Sequence, residues 1–341
     1  MKTMVHRGLN QACVMLLALS LLGCASLPPS RICSSVPPGA FAAVPADWCS
    51  TDGKERMPAV DNVGVALAAK LSYLAYQPDD QIQALGEVTI GEVGPDPQGE
   101  FPRLFGTRYF IWHDLTAPGG PRHYLSIRGT ANFENIFEDA NYPKILDPVL
   151  KIYVHRGYYQ IAAEILDRLH ALQLPGAEPV WVTGHSLGGG VALLVYLHLY
   201  HEGATLGPLY TFGQPRTVAV DAWEPYRCLP IVRVVNYGDF VPLVPPTLKD
   251  KGCDQPLDPG CHGSFIQIGD ELLLSGYGNC QYRTYHDPGA IGYDVVRILL
   301  EDAQHHELKQ YLLVHLQDAY LANTRPLVDN PGLRCVYHPR P

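Results

Sequence analysis

The sequence carries little charge, and what it carries is mostly acidic. Only 17% of its 341 residues are charged, with 25 lysines and arginines against 34 aspartates and glutamates, so the formal net charge is −9. No run of basic residues occurs in it. Proteins that hold nucleic acid or an anionic membrane surface by charge need clustered lysine and arginine. We therefore expect no nucleic-acid partner, and any membrane contact must come from lipid or from apolar surface.

The sequence also lacks the spacing of a metal site. None of its nine cysteines forms a C-x-x-C pair, which is the spacing typical of bound zinc. We interpret Asp254 and Asp258 as loop residues. The sequence thus predicts no metal and no cofactor.

The apolar run at the N-terminus is too short to cross a bilayer comfortably. It lies at Ala12–Gly23, follows Lys2 and Arg7, and has the length of a secretory signal peptide. It ends in L-L-G-C, which resembles a bacterial lipobox, where the cysteine, here Cys24, is acylated and becomes the new N-terminus. The alternative is an ordinary signal peptide cleaved nearby, with this cysteine in a disulfide. The next residue is alanine and not aspartate, which by the same resemblance implies sorting to the outer membrane.

Three parts of the chain are therefore predicted. Residues 1–23 form a lipoprotein signal peptide, and residues 24–55, rich in proline, serine and alanine, form a lipid-anchored tether. Residues 56–341 form one large α/β domain, which is long enough to bury a sizeable core. The expected location is the bacterial cell envelope, at the outer membrane.

Cysteine usage agrees with export to an oxidising compartment. Seven of the nine cysteines remain (9 − 2) once the signal peptide and the lipid site are set aside. Disulfides are the favoured interpretation. We predict the pairs Cys33–Cys49 and Cys253–Cys261, because each closes a local loop rich in proline or glycine. Since seven is odd, at least one thiol is expected to be free or paired between chains.

The central motif of the chain is a strand that becomes a helix at Ser186. Residues 180–183 are β-branched and aromatic, and residues 191–197 continue as an apolar helix. Between them stands G-H-S-L-G, the nucleophile elbow pattern. In such a tight turn, side chains two residues on either side of the serine would collide with their neighbours, so Gly184 and Gly188 are required. The alternative is an ordinary glycine-rich turn.

Two further strand ends carry polar groups. Strand 123–127 runs into R-G-T, where Thr130 can present its N–H and its hydroxyl to one oxygen, as an oxyanion hole needs; alone, the tripeptide is typical of a turn. Strand 231–236 is followed by Asp239, and carboxylates at the carboxyl end of a sheet strand lie where such folds keep their sites. Asp221 and Asp139 are the rival acids.

A serine in a nucleophile elbow works with an acid and a histidine, which follow it along the chain in that order. A base is therefore expected after Asp239. An imidazole with a pKa near ~6.5 is suited to take a proton from the serine and return it. The downstream candidates are His262, His286, His305, His306 and His315.

Taken together, these motifs resemble the class 3 (fungal-type) lipase family of the α/β-hydrolase fold. The resemblance is carried by Y-L-S-I-R-G-T at 124–130, V-H-R-G-Y at 154–158, G-H-S-L-G-G at 184–189 and T-F-G-Q-P-R at 211–216. It runs from about residue 60 to 320. It implies an α/β fold with a mostly parallel central sheet flanked by helices.

The resemblance also implies roles for the candidate residues. Thr130 and Leu187 correspond to the oxyanion-hole residues, and Asp239 fits the family pattern V-N-x-x-D-x-V-P. Asp139 matches a position that we interpret as structural.

The family pattern places the catalytic histidine five residues before a tyrosine, and His306 with Tyr311 fits this spacing. His305 is the runner-up. His262 resembles a segment that is not catalytic, and His315 is interpreted as a helix histidine.

The predicted function is a carboxylic ester hydrolase, a lipase that cleaves acylglycerol esters through Ser186, Asp239, His306 and an acyl-enzyme. A phospholipase A1 or a short-chain esterase is the alternative, and a non-catalytic envelope lipoprotein is a further one. The expected partners are a lipid or ester substrate and a membrane, which is held through acylated Cys24.

Apolar residues at 141–153 lie where the family carries its lid. They are Ile145, Leu146, Val149, Leu150 and Ile152. A buried connection is the alternative interpretation. The loop 247–262 is predicted to border the pocket as well.

Overall fold

The computed structural model describes residues 61–98, 106–130, 144–245, 265–274, 280–283, 316–329 and 335–338. The signal peptide, the tether and the loop 247–262 lie outside these residues. So do the following residues that the sequence singles out: Cys24, Cys33, Cys49, Asp139, Cys253, Cys261, His262, His286, His305, His306 and His315.

A central sheet of nine strands organises the described residues. In chain order the strands within the described ranges are β1 (Val88–Val93), β2 (Thr107–Asp114), β3 (Arg122–Ile127), β4 (Lys144–Leu146), β5 (Tyr153–His155), β6 (Val180–His185), β7 (Leu209–Phe212), β8 (Val218–Ala219), β9 (Ile231–Asn236), β10 (Phe265–Ile266), β11 (Asp270–Leu274), β12 (Cys280–Arg283) and β13 (Val336–His338). The central order is β1-β2-β3-β6-β7-β9-β11-β12-β13, and a smaller sheet has the order β10-β8-β5-β4.

The strands from β3 to β11 in the central sheet run parallel, through the pairs β3–β6, β6–β7, β7–β9 and β9–β11. Strands β1 and β2 add antiparallel neighbours at one edge. The mostly parallel α/β sheet that the sequence predicts is therefore confirmed. Because parallel strands share one direction, their carboxyl ends meet at a single edge, where ligands bind in such sheets.

Helices cover both faces of this sheet. They are α1 (Asn62–Leu74), α2 (Asp79–Gln83), α3 (Arg156–Ala171), α4 (Leu187–His201), α5 (Trp223–Tyr226) and α6 (Gln317–Asp329). Helices α3 and α4 pack against one face, and α1 and α6 pack against each other and the opposite face. Along β9, Ile231 belongs to the first core and Val232 to the second, which is the alternation that a sheet buried on both sides requires.

Helix α4 is buried on every side. All residues from Leu187 to Leu199 are buried, and a helix that is apolar all round belongs in a core. Since this helix begins immediately after Ser186, its burial holds one side of the elbow in place.

The segment at 144–155 is a packed hairpin. Strands β4 and β5 pair with each other, and Leu150 and Ile152 lie in the core. Leu150 and Ile152 are thus buried, as in the alternative of a buried connection, whereas Leu146 and Val149 are exposed and Ile145 is half-buried. The lid stays a prediction. Residues 141–143 lie outside the described part of the chain.

A buried carboxylate explains why this hairpin stays packed. Asp147 is fully buried, and its Oδ1 accepts the N–H groups of Val149 and Leu150, both at 2.9 Å. Its Oδ2 lies 2.8 Å from Nε2 of His198 on α4. Burial alone raises the pKa of Asp147, but the hydrogen bonds from His198 and from the N–H of Leu150 hold it below its ordinary value. The hairpin is thus anchored to the central helix.

A disulfide joins β12 to β13. Cys280 and Cys335 are bonded with an S–S distance of 2.05 Å across 55 residues of sequence. The sequence did not predict this pair, because its two cysteines are 55 residues apart and close no local loop. Cys228 is also disulfide-bonded. The predicted pairs Cys33–Cys49 and Cys253–Cys261 lie outside the described residues.

Among the helices of the described ranges, none combines the length and apolar character needed to cross a membrane.

We expect His198→Ala to lower the free energy of unfolding by about 2–4 kcal/mol, because it leaves the buried Asp147 carboxylate without its side-chain partner. Urea denaturation measures the change. The matched control is His170→Ala, which breaks a contact of 3.0 Å with Glu202 at the surface and should cost less than about 1 kcal/mol. Equal losses in the two variants would contradict the anchoring role of Asp147.

Candidate active site

Ser186 occupies a strained turn between β6 and α4. Its backbone has φ 58° and ψ −129°, in the half of φ space that non-glycine residues rarely adopt and that marks functional turns when a serine occupies it. The side chain is buried, and its Oγ has no hydrogen-bond partner among the described residues. The predicted strand–turn–helix at Ser186 is confirmed.

The two elbow glycines sit against backbone. A Cβ on Gly184 would meet the carbonyl group of Gly188, and a Cβ on Gly188 would meet the carbonyl oxygens of Ile127 and Arg128. These contacts leave no room for a side chain at either position. The steric reason that the sequence suggested for the glycines therefore holds, and the partner of Gly188 is the end of β3.

The R-G-T segment lies directly beside the elbow. A Cβ on Gly129 would stand 2.7 Å from the carbonyl oxygen of His185 and 2.9 Å from the Cβ of Ser186. Thr130 follows, and its Oγ1 is buried with no hydrogen-bond partner among the described residues. Leu187 is the first residue of α4, where backbone N–H groups have no partner within the helix. Leu187 thus follows the serine directly, and Thr130 follows the glycine that packs against it.

Tyr76 forms hydrogen bonds on both sides of this contact. Its hydroxyl accepts the N–H of Gly129 at 2.9 Å and lies 2.8 Å from Nδ1 of His185. Burial raises the pKa of Tyr76, so the hydroxyl keeps its proton and can donate it to the imidazole. One side chain therefore positions both the R-G-T turn and the residue before Ser186. Tyr76 gave no signal in the sequence, because it stands alone beyond the apolar pattern of α1.

Asp239 lies two strands away from the serine at the same edge of the sheet. The N–H of Ser186 donates to the carbonyl of Phe212 on β7 at 2.8 Å, and the N–H of Gly213 donates to Val234 on β9 at 3.1 Å. Neighbouring strands are about 4.8 Å apart, so β6 and β9 are separated by about 10 Å. Asp239 is buried, and its Oδ1 accepts the N–H of Val241 at 2.9 Å.

Tyr320 on α6 contacts the other oxygen of this carboxylate. Its hydroxyl donates to Oδ2 of Asp239 at 2.5 Å and accepts the N–H of Asn236 at 3.1 Å. Burial, followed by the charge of Asp239, raises the pKa of Tyr320 well above its ordinary value, so the tyrosine remains a donor. Its ring meets the His185 ring edge-on at 5.6 Å. Sequence reasoning missed Tyr320, although its position in a C-terminal helix was a usable signal.

The rival acid Asp221 lies elsewhere. It stands in a short helical turn after β8, and its Oδ2 accepts the N–H of Tyr153 on β5 at 2.9 Å. Burial raises its pKa above the ordinary value. These contacts tie Asp221 to the small sheet, so its role there is structural. Neither Asp139 nor any of the candidate bases falls within the described residues.

Residues 124–249 match the family model Lipase (class 3). That range contains Ser186, Asp239 and the R-G-T turn. A lipase of Rhizomucor miehei is 37% identical over 141 residues, which cover 36% of this chain and 37% of the relative. The secreted mono- and diacylglycerol lipase 1 of Fusarium solani is 33% identical over 184 residues, covering 50% and 54%. The chain thus spans from about a third to about half of the length of these two curated relatives.

A solved structure agrees with the class of fold. Lipase II from Rhizopus niveus superposes with a TM-score of 0.52 at 22% identity, covering 71% of this chain and 92% of that one. The chain therefore has the α/β-hydrolase fold, with Ser186 at the strand-to-helix turn where that fold carries its nucleophile.

We expect Gly129→Ala to lower the free energy of unfolding by about 1–3 kcal/mol, because the new methyl group meets His185 and Ser186 at less than contact distance. Gly94→Ala is the matched control, since nothing lies within 4 Å of an added Cβ there. Thermal and urea unfolding of both variants measure the difference. A Gly129→Ala variant as stable as the control would refute the close packing of the R-G-T turn on the elbow.

Proposed function

We propose that this protein is a serine-dependent carboxylic ester hydrolase, a lipase that acts on acylglycerol esters. One observation carries the proposal: a buried serine in a strained strand-to-helix turn, with the R-G-T turn and the first N–H of α4 beside it. That arrangement brings a nucleophile and oxyanion donors together at one place in the fold.

The reaction follows from these groups. Ser186 Oγ attacks the ester carbonyl while the base removes its proton, and the N–H groups of Thr130 and Leu187 hold the oxyanion. The base then gives the proton to the departing alcohol, and water releases the acyl group by the same route. Asp239 orients the base and stabilises its protonated form. Tyr320 and Val241 fix the carboxylate of Asp239 in turn, through one hydrogen bond to each oxygen.

His306 is the proposed base, on the spacing that the family resemblance gives. A second candidate, His315, is favoured by a specific observation. The tyrosine that contacts Asp239 is Tyr320, and His315 stands five residues before it in the chain, the same spacing as His306 and Tyr311.

The start of α6 gives a second reason to consider His315. The carbonyl of Leu316 accepts the N–H groups of Ala319 at 3.0 Å and of Tyr320 at 3.3 Å, so Leu316 lies one turn from the tyrosine. His315 directly precedes Leu316 in the chain.

The substrate class rests on the relatives and on the site together. The Fusarium relative is named a mono- and diacylglycerol lipase and the Rhizomucor relative a lipase. Phospholipase A1 and short-chain esterase activities use the same groups and are distinguished only by substrate. A non-catalytic envelope lipoprotein is the remaining alternative.

Anchoring is proposed on the N-terminal sequence. Acylation of Cys24 would hold the protein at the outer membrane, because several acyl chains on one residue give stable attachment at about 0.8 kcal/mol for each buried methylene. Labelled palmitate should be incorporated into the wild type and lost in Cys24→Ser. Incorporation that survives this change would exclude the assignment.

We expect Ser186→Ala to lower kcat by on the order of a millionfold, because the nucleophile is lost. Wild type and variant are assayed side by side on tributyrin, triolein, short nitrophenyl esters and phosphatidylglycerol. A fluorophosphonate should label the wild type only. Failure of the wild type to hydrolyse any of these esters and to take the label would favour the non-catalytic alternative.

The acid is tested with a matched pair of carboxylates. Asp239→Asn should reduce kcat/KM by about 10⁴-fold, because the base loses the partner that sets its tautomer. Asp221→Asn should stay within about tenfold of wild type, since that residue serves the small sheet. The assay is ester hydrolysis at neutral pH. Equal activities in the two variants would exclude Asp239 as the acid.

Alanine variants of His305, His306 and His315 identify the base. One of them should lose activity by at least about 10³-fold, and the other two should remain within about tenfold. Loss confined to His306 supports the spacing argument, and loss confined to His315 reassigns the base to the residue next to α6. Full activity in all three would exclude a base from this part of the chain.

Tyr320→Phe should lower kcat by about 10- to 100-fold, the equivalent of removing one hydrogen bond of about 1.5–3 kcal/mol to a charged group. The acidic limb of the kcat/KM profile should move as well, because Asp239 would support the protonated base differently. The control is Tyr196→Phe, which removes a buried hydroxyl bonded to the carbonyl of Gly207 at 3.1 Å. If both variants lose activity only in proportion to stability, Tyr320 has no positioning role.

A further inference from the structure

A pair of histidines faces each other across two strands, away from the proposed catalytic groups. His113 on β2 and His123 on β3 are directly opposite in the antiparallel register. Their Nδ1 atoms are 3.0 Å apart, whereas the ring centroids are 4.9 Å apart. The nitrogen-bearing edges of the two rings therefore point towards one another.

Each ring also has an oxygen near its other nitrogen. Nε2 of His113 lies 3.4 Å from Oγ1 of Thr89 on β1, and Nε2 of His123 lies 3.9 Å from a carboxylate oxygen of Glu178. Oxygen acceptors at this outer position favour a proton on Nε2 and leave the lone pair on Nδ1. Histidines that bind metals are commonly oriented in this way.

Two Nδ1 lone pairs at this distance repel each other unless a proton or a cation lies between them. In one arrangement the proton of His113 is on Nδ1, between the two rings, and Nε2 of His113 accepts a hydrogen bond from the hydroxyl of Thr89. In the other arrangement a metal ion lies between the two Nδ1 atoms, and each ring carries its proton on Nε2.

We propose that His113 and His123 form a binding site for a divalent transition metal ion, with Cu²⁺ and Ni²⁺ preferred. At metal–nitrogen distances of about 2.0–2.1 Å, a nitrogen separation of 3.0 Å corresponds to an angle of about 95° at the metal. That angle suits the tetragonal geometry of Cu²⁺ and Ni²⁺. Tetrahedral Zn²⁺ requires the nitrogens to separate by a further ~0.3–0.4 Å and should bind less tightly.

The site has two protein ligands and open positions. Among the described residues, no group of three or more histidine, cysteine, aspartate or glutamate side chains is arranged to hold a metal. Solvent completes the coordination, because His113 is only partly buried and the Glu178 side chain is 44% exposed. Mg²⁺ and Ca²⁺, which prefer oxygen ligands, should not bind the pair.

The pair is remote from Ser186. His123 is near the start of β3, and Thr130 follows its far end, so about four strand residues, or about 13 Å, separate His123 from Ile127. Bound metal would join β2 to β3 while Thr89 and Glu178 hold the rings from β1 and from the chain before β6. The site therefore stabilises this edge of the sheet and does not depend on the proposed hydrolase activity.

The test uses the untagged mature protein after treatment with EDTA. Calorimetric titration with CuCl₂, NiCl₂, ZnCl₂ and MgCl₂ should give a site for the first three ions, tightest for Cu²⁺, and none for Mg²⁺. His113→Asn and His123→Asn should each weaken that site at least tenfold and abolish the rise in Tm that Cu²⁺ produces. His170→Ala and His201→Ala are the surface controls and should change neither.

A measurement on the wild type guards against variants that fail to fold. The electron paramagnetic resonance spectrum of the Cu²⁺ complex should show two coupled imidazole nitrogens, and Ni²⁺ should protect His113 and His123 from diethylpyrocarbonate. Metal binding that is unchanged in both asparagine variants, or unprotected histidines in the wild type, would overturn the proposal. The histidine pair would then be a proton-sharing hydrogen bond only.

Discussion

The close contact between the end of β3 and the turn at Ser186 is the constraint on which the rest of the site depends. Gly188 touches the carbonyl oxygens of Ile127 and Arg128, and Gly129 touches Ser186 itself. With backbone packed on backbone, the R-G-T turn and the helix start can share one small volume. The buried helix α4 and the neighbouring parallel strands maintain the position in which a serine keeps a positive φ.

Two tyrosines that are far apart in sequence also contact this part of the site. Tyr76, just beyond α1, bonds Gly129 and His185, and Tyr320 on α6 bonds Asp239 while its ring packs on His185. Both hydroxyls are buried and remain protonated. Neither tyrosine therefore adds a negative charge beside the carboxylate of Asp239, which could stabilise an imidazolium.

The features that could be predicted from the sequence are those that depend on a few consecutive residues. The elbow, the R-G-T turn and the strand-end Asp239 each follow from a strand and its next residues. Contacts between distant residues were missed: Tyr320 is 81 residues from Asp239, and Tyr76 is 53 from Gly129. The hairpin at 144–155 shows the same limit, because apolar side chains look alike in a lid and in a core. Leu150 and Ile152 are buried, and the hairpin that carries them is tied to α4 by the contact of Asp147 with His198, across 51 residues.

The hydrogen bond from Tyr320 to Asp239 also affects the order in which the fold is completed. Ser186 and the strands beside it are synthesised well before α6, yet the carboxylate of Asp239 lacks its tyrosine partner until that last helix docks. The disulfide between Cys280 and Cys335 closes the same C-terminal part of the sheet. A chain that lacked α6 would therefore hold the strained serine turn while the carboxylate of Asp239 lacked the tyrosine hydroxyl. Completion of this edge of the sheet thus waits for a part of the chain that is synthesised after it.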